Sequence, residues 1–142
     1  MTKVYYFVHP GEAMSKSNHY QICVPKGGNK KPFMYVPADI KKYAEGLSIT
    51  ARSAMNEPIT GPVRIDVNAY FGTCRRKDIQ NTLKSLLDAL NNIVYEDDSQ
   101  IVELHAYKHL DKENPRVEVH VTELPIIPDY PLTFCQPTSA KI

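Results

Sequence analysis

The 142-residue chain has only three cysteines, Cys23, Cys74 and Cys135, odd in number and far apart. No CxxC or Cys/His spacing offers a zinc site, and no paired framework of the secreted, disulfide-stapled kind is present. No apolar run approaches the ~20 residues that span a bilayer. The opening MTKVYYFVHPGEAM lacks the apolar core and cleavage region of a signal peptide. The expectation is therefore no membrane association and a reducing, cytoplasmic setting. The five histidines, His9, His19, His105, His109 and His120, show no HxxxH spacing and read as surface or strand-face residues. A Gly-rich phosphate loop, a serine elbow and a Cys/His pair are all missing, and there are no internal repeats. The net charge of +1 neither demands nor excludes nucleic acid.

What is present suits one folded domain: 42% hydrophobic and 23% charged residues are globular proportions, and this length buries roughly two-thirds of the unfolded surface. Charge is unevenly spread. Lys26, Lys30, Lys31, Lys41 and Lys42 have few acids near them, and Arg75, Arg76 and Lys77 form a second basic cluster. Val4 to Val8 reads as a first strand broken by His9-Pro10-Gly11, and SKSNHY as a polar loop. Tyr20 to Val24 and Phe33 to Val36 read as short extended segments joined by the basic loop KGGNKK. Apolar spacing over Ala38 to Met55 predicts a helix. Val63 to Tyr70 alternates with period two, as do Val102 to Tyr107 and Val117 to Thr122, the last strand running antiparallel to the one before it. Beyond Leu124, four prolines exclude helix and central strand, so residues 124–142 read as an extended arm or tail after a domain over residues 1–123. The layout β-β-β-α-β-α-β-β is an α+β domain, a mixed sheet with two main helices packed on it.

The centre of this layout is RRKDIQNTLKSLLDALNNIVYEDDS, Arg75 to Ser99. Ile79, Leu83, Leu86, Leu87 and Leu90 recur at helical spacing as a buried stripe. Asn81, Lys84 and Asp88 share another face. Asp78 sits where an N-cap belongs, Asn91-Asn92 end the helix, and Asp97-Asp98 form an acidic turn. A carboxylate at each end of one helix, with a lysine between, invites gathering around a metal ion and a phosphate. The plain alternative is a helix cap, a solvated turn and a surface lysine.

The run D-I-Q-N-x-x-K-x-x-x-D-A-L followed by E-D-D-S-Q-I-V resembles the core motif of the RusA family of Holliday junction resolvases. The upstream Arg75, Arg76 and Lys77 also match, as does Ser17-Asn18-His19-Tyr20. The resemblance implies a homodimeric, Mg²⁺-dependent endonuclease that nicks symmetry-related strands of four-way DNA junctions. Carried over by position, it implies Asp78 as the first motif acid, Asn81 as the motif asparagine, Lys84 as the essential-type lysine and Asp88 as the helix acid. It further implies Asp97 and Asp98 as the acid pair, with Asp98 the principal metal ligand beside Asp78 and Asp97. Arg75, Arg76, Lys77, Lys84, Lys30 and Lys31 would face DNA phosphates.

One position departs from the motif. Gln80 stands where the family carries its second acid, and a neutral amide cannot hold Mg²⁺ by charge. The expected function is therefore a junction-resolving endonuclease, with impairment through Gln80 a direct question. The alternatives are a DNA-junction binding protein without catalysis and, last, an α+β interaction module in which Asp78 merely caps a helix.

Overall fold

The computed structural model describes residues 2–14, 21–28, 31–35, 38–74 and 78–126. The expectations placed on residues 17–20, on Lys30, on residues 75–77 and on the proline-rich arm beyond residue 126 lie outside them. In chain order the elements are β1 (Val4–Pro10), β2 (Gln21–Cys23), β3 (Phe33–Tyr35), α1 (Ala38–Ala54), β4 (Val63–Phe71), α2 (Ile79–Ala89), β5 (Ile101–Leu110) and β6 (Arg116–Glu123). The α+β reading with a mixed sheet and two helices holds. Four strands form one sheet in the order β1-β6-β4-β5, and β2 and β3 pair as a separate antiparallel ribbon.

β4 and β5 are parallel neighbours, in register from Arg64↔Glu103 to Phe71↔Leu110, so a crossover must join them, and α2 is that crossover. This decides where β6 goes. It runs antiparallel to β5, as the sequence suggests, but β4 lies between the two and β6 pairs instead with β4 and β1. One boundary is corrected. His9 and Pro10 do not break the first strand: it continues through them, with Pro10 opposite Arg116. β1 is an edge strand, where a missing N–H costs no ladder bond, and the chain turns only at Gly11, with φ 98°.

Both helices lie on one side of the sheet. Val63, Ile65, Val67, Ala69 and Phe71 of β4 and Val117, Val119 and Val121 of β6 meet Leu47 and Ala51 of α1 and Leu86 and Leu90 of α2. Burial of side chains of this size stabilises by about 1.5–3 kcal/mol each, which fixes α2 over the β4–β5 side. His9 belongs to this packing rather than to the surface: its Nδ1 lies 3.1 Å from Thr50 Oγ1, and burial lowers its pKa. On β4 and β6 the opposite sheet face is polar, while β1 exposes Val4, Tyr6 and Val8 there. Arg64 pairs with Asp66 at 3.0 Å and Glu103 at 3.7 Å. Arg116 bonds Asp111 at 2.8 Å and Glu118 at 3.0 Å, over the ring of Tyr70. Such surface pairs are screened by solvent and add little to stability.

Candidate active site at the two ends of a helix

Asp78 caps α2 as its position suggests. Its backbone is extended, at φ −83° and ψ 114°, and its Oδ1 accepts the backbone N–H of Gln80 at 2.9 Å. Its Oδ2 accepts from the Asn81 amide at 3.3 Å. The Asp78 carbonyl takes both the N–H of Thr82, at 3.2 Å, and the Thr82 hydroxyl, at 3.0 Å. The carboxylate faces solvent at the positive end of the helix dipole, where negative charge is favoured. Gln80 is exposed one residue into the helix, and only its backbone takes part in the cap.

At the other end, Leu90 closes the helix and Asn92 takes the left-handed conformation, φ 65°, which asparagine tolerates better than most residues. The chain then folds back under α2. Tyr95 is fully buried and its hydroxyl donates to the Leu87 carbonyl at 2.6 Å. Gln100, also buried, closes the acidic turn: its Oε1 accepts the N–H groups of Glu96 and Asp97 at 2.8 and 2.9 Å. Its Nε2 donates to the carbonyls of Ile59 and Gly61 at 2.7 and 2.9 Å. Every hydrogen-bonding position of that amide is used. Asp97 caps the short 3-10 turn Asp98–Gln100 and accepts the Ser99 N–H at 3.1 Å. Sequence reading singles out the two aspartates and misses the side chains that hold them. Asp97-x-x-Gln100 has the spacing of a capping box, a signal that was there to find; Tyr95 offers none.

The electrostatics group the acids. Asp98 is held above the usual carboxylate range, first by partial burial and then by the charges of Asp97 and Asp88. Hydrogen bonds from Ser99 pull Asp97 the other way, below it. The Tyr95 phenol is raised far above its ordinary value, mainly by burial, then by Asp98, Asp88 and Asp97. These three carboxylates therefore make one negative end. Asp78 is not part of it: ten residues of helix at 1.5 Å each set it about 15 Å from Asp88. Lys84 is exposed between the two ends, on the face shared with Asn81 and Asp88. Among the described residues of one chain, no three acidic, histidine or cysteine side chains are placed to share one metal ion. The carboxylates expected to converge thus divide into Asp78 at the head of α2 and Asp88, Asp97 and Asp98 at its foot.

Of the expected phosphate-facing cations, Lys31 is exposed at the start of β3, and Lys26 is exposed in the turn after β2. That turn relies on Gly27 and Gly28, both at positive φ (77° and 79°), where a side chain would be strained. A family model, Endodeoxyribonuclease RusA, matches residues 10–122, from the end of β1 to β6 and across both ends of α2. The chain belongs to the RusA family. It is also 33% identical over 124 residues to YqaN of Bacillus subtilis (strain 168), an uncharacterized protein, covering 70% of this chain and 87% of YqaN. RusA membership implies an endodeoxyribonuclease, a hydrolase acting on Holliday junctions. Among the described residues of this RusA-family chain, no helix is long and apolar enough to cross a membrane.

Proposed function

We propose that the chain is a divalent-metal-dependent endodeoxyribonuclease that resolves four-way DNA junctions by paired nicks, working as a homodimer in DNA recombination and repair. One observation carries the reading: in a RusA-family chain, the Asp97-Asp98 turn is clasped by buried Gln100 and Tyr95 against the end of α2 that carries Asp88. Two buried polar side chains are spent on fixing exposed acids, which a solvated turn does not need.

The donor set fits Mg²⁺, a hard ion that takes carboxylate oxygens, often only one or two of them, and keeps several waters. Asp98 would be its principal protein ligand, with Asp97 as a further one; Asp78, at the other end of α2, would not reach the same ion within one chain. The bound ion would lower the pKa of a coordinated water and offset charge on the scissile phosphate. Lys84 then supplies a fixed cation toward the phosphate, and Asn81, bonded to Asp78, orients that carboxylate. Arg75, Arg76, Lys77, Lys30 and Lys31 bind the backbone without reading sequence.

Gln80 favours a second reading, a junction-binding protein without catalysis, because an exposed neutral amide stands beside Asp78 in place of an acid. A labelled four-way junction, incubated with and without Mg²⁺ at equal occupancy, separates them. Paired Mg²⁺-dependent nicks support the nuclease; tight binding with no nick supports the binding protein; no preference for junction over duplex sinks both.

A further inference from the structure

At the end of the sheet away from the acidic turn, β4 and β5 come apart. Their pairing finishes at Phe71↔Leu110, with the Asp111 N–H still reaching the Phe71 carbonyl at 2.8 Å. The chain leaving β4 passes Pro115 so closely that a Cβ on Gly72 would lie 2.9 Å from the proline ring. The parting strands leave a cavity of about 240 Å³ lined by Phe71, Thr73, Cys74, Lys108, His109 and Leu110. Phe71 and Leu110 supply apolar surface, and the Lys108 ammonium stands 5.9 Å from the centre of the Phe71 ring. His109 is exposed yet firmly held. Its ring stacks on Tyr70, with centroids 4.6 Å apart and planes 21° from parallel, and Tyr70 also carries the Arg116 guanidinium, 3.8 Å from its ring centre. Nε2 of His109 lies 2.8 Å from Asn68 Oδ1. An amide oxygen only accepts, so Nε2 carries the proton and Nδ1 is left as an acceptor.

A partly apolar hollow with a few fixed polar groups on its rim suits a flat heteroaromatic ring. The neighbouring sequence identifies the ring. It runs from Cys74 directly into Arg75-Arg76-Lys77 and Asp78, so a DNA strand whose phosphates meet those cations has its bases within reach of the cavity. A base taken out of its stack needs apolar contact for its faces and hydrogen-bonding groups along its edge. We propose that this cavity takes one unstacked nucleobase of the DNA strand passing the head of α2, packed on Phe71 and Leu110 with its edge toward Thr73, Lys108 and Nδ1 of His109. The inference rests on the junction binding that both preceding readings share, and not on cleavage. Lys108 only donates, so it favours a base with a carbonyl oxygen on the edge it meets. Guanine, cytosine and thymine carry one and adenine does not. Adenine is therefore the base held least well.

The test uses the full-length protein and four-way junctions that carry pyrrolocytosine, a fluorescent cytosine analogue, at one position at a time around the crossover. Divalent metal is left out, so no strand is cut, and anisotropy of an end label reports binding separately. With the parent bound, fluorescence at one position should change by about threefold, as expected of a base leaving its stack. Thr73 is exposed on the rim, so Thr73→Phe fills the cavity without entering the core. That variant should bind the junction and lose the signal. Placing adenine at the responding position should weaken parental binding by about fivefold, and Lys108→Ala should bind both junctions alike. A parent that binds the junction with no fluorescence change at any position would sink the cavity alone, as would a signal that persists in Thr73→Phe. A parent that shows no preference for the junction in anisotropy would remove the junction reading, and the proposed ligand with it.

Discussion

The hydroxyl of Tyr95 reaches the carbonyl of Leu87 at 2.6 Å. This ties the segment leading into the acidic turn to the last turn of α2. The bond gives the Leu87 carbonyl a second donor beside the Leu90 N–H at 3.3 Å, and it keeps Asp98 within the field of Asp88. Tyr95→Phe keeps the ring and removes the bond. It should cost about 1–2 kcal/mol, read as a lower urea midpoint at unchanged slope. An unchanged midpoint would mean that packing alone places the turn.

Gln100 permits a sharper test. Gln100→Glu is nearly isosteric, but it sets a carboxylate against the carbonyls of Ile59 and Gly61. At pH 7 the loss should be about 3 kcal/mol or more. Those carbonyls favour the protonated acid, so the new side chain has a raised pKa in the folded state. The sign follows: the penalty is full above that pKa and shrinks as pH falls through it. Thermal melts at pH 7 and pH 4.5 check this, and equal destabilisation at both would rule out charge as the cause.

Much of this was legible in the sequence, and the gaps have physical reasons. Period-two alternation at Val63–Phe71 and helical spacing through Leu86 and Leu90 report burial on one face, so those elements are readable locally. That β4 rather than β5 neighbours β6 depends on long-range pairing, to which alternation is blind. His9 and Pro10 belong to a strand because that strand is at an edge, a property of the sheet and not of the dipeptide. The aspartates of the motif are visible as residues, but a motif is a list in one dimension. Helical spacing does set Asp78 at one end of a helix and Asp97-Asp98 past the other, but it does not show that Gln100 is the residue that builds the turn.

On the proposed reading, Gln80 governs how much activity the chain retains. Its backbone N–H completes the Asp78 cap, and any residue supplies that group, so Gln80→Asp leaves the cap intact. Added negative charge in the first helical turn is also compatible with the dipole. Gln80→Asp should raise Mg²⁺-dependent junction cleavage by about tenfold, ~1.4 kcal/mol of transition-state stabilisation. A parent that already cleaves as fast as the variant would show that the amide oxygen suffices.

The basic cluster Arg75-Arg76-Lys77, which precedes Asp78 in the sequence, should act on binding rather than chemistry. Arg75→Ala with Arg76→Ala is expected to weaken junction affinity and flatten its dependence on log salt, by roughly one unit of slope per lost phosphate contact. On the proposed reading, preference for junction over duplex should survive, because the shape of a dimer rather than these charges would select the four-way structure. An unchanged salt slope in fluorescence anisotropy would remove both arginines from the interface.

On the proposed reading, Asp98 sets function against stability. Burial and the neighbouring Asp97 and Asp88 raise its pKa in the folded chain, so its ionised form is less favoured there than in the unfolded chain. By linkage, ionised Asp98 lowers stability at neutral pH, and the loss fades as pH falls below its ordinary unfolded value, where the group is protonated in both states. Asp98→Asn should therefore raise the melting temperature at pH 7, with the gain narrowing toward zero near pH 3. The same substitution should abolish Mg²⁺-dependent nicking while leaving junction affinity equal or higher, since it removes negative charge facing phosphate. A variant that is more stable but still nicks at the parental rate would keep the electrostatic account and take Asp98 out of the chemistry. One that loses stability at pH 7 would mean that the carboxylate is held by contacts stronger than the repulsion of its neighbours.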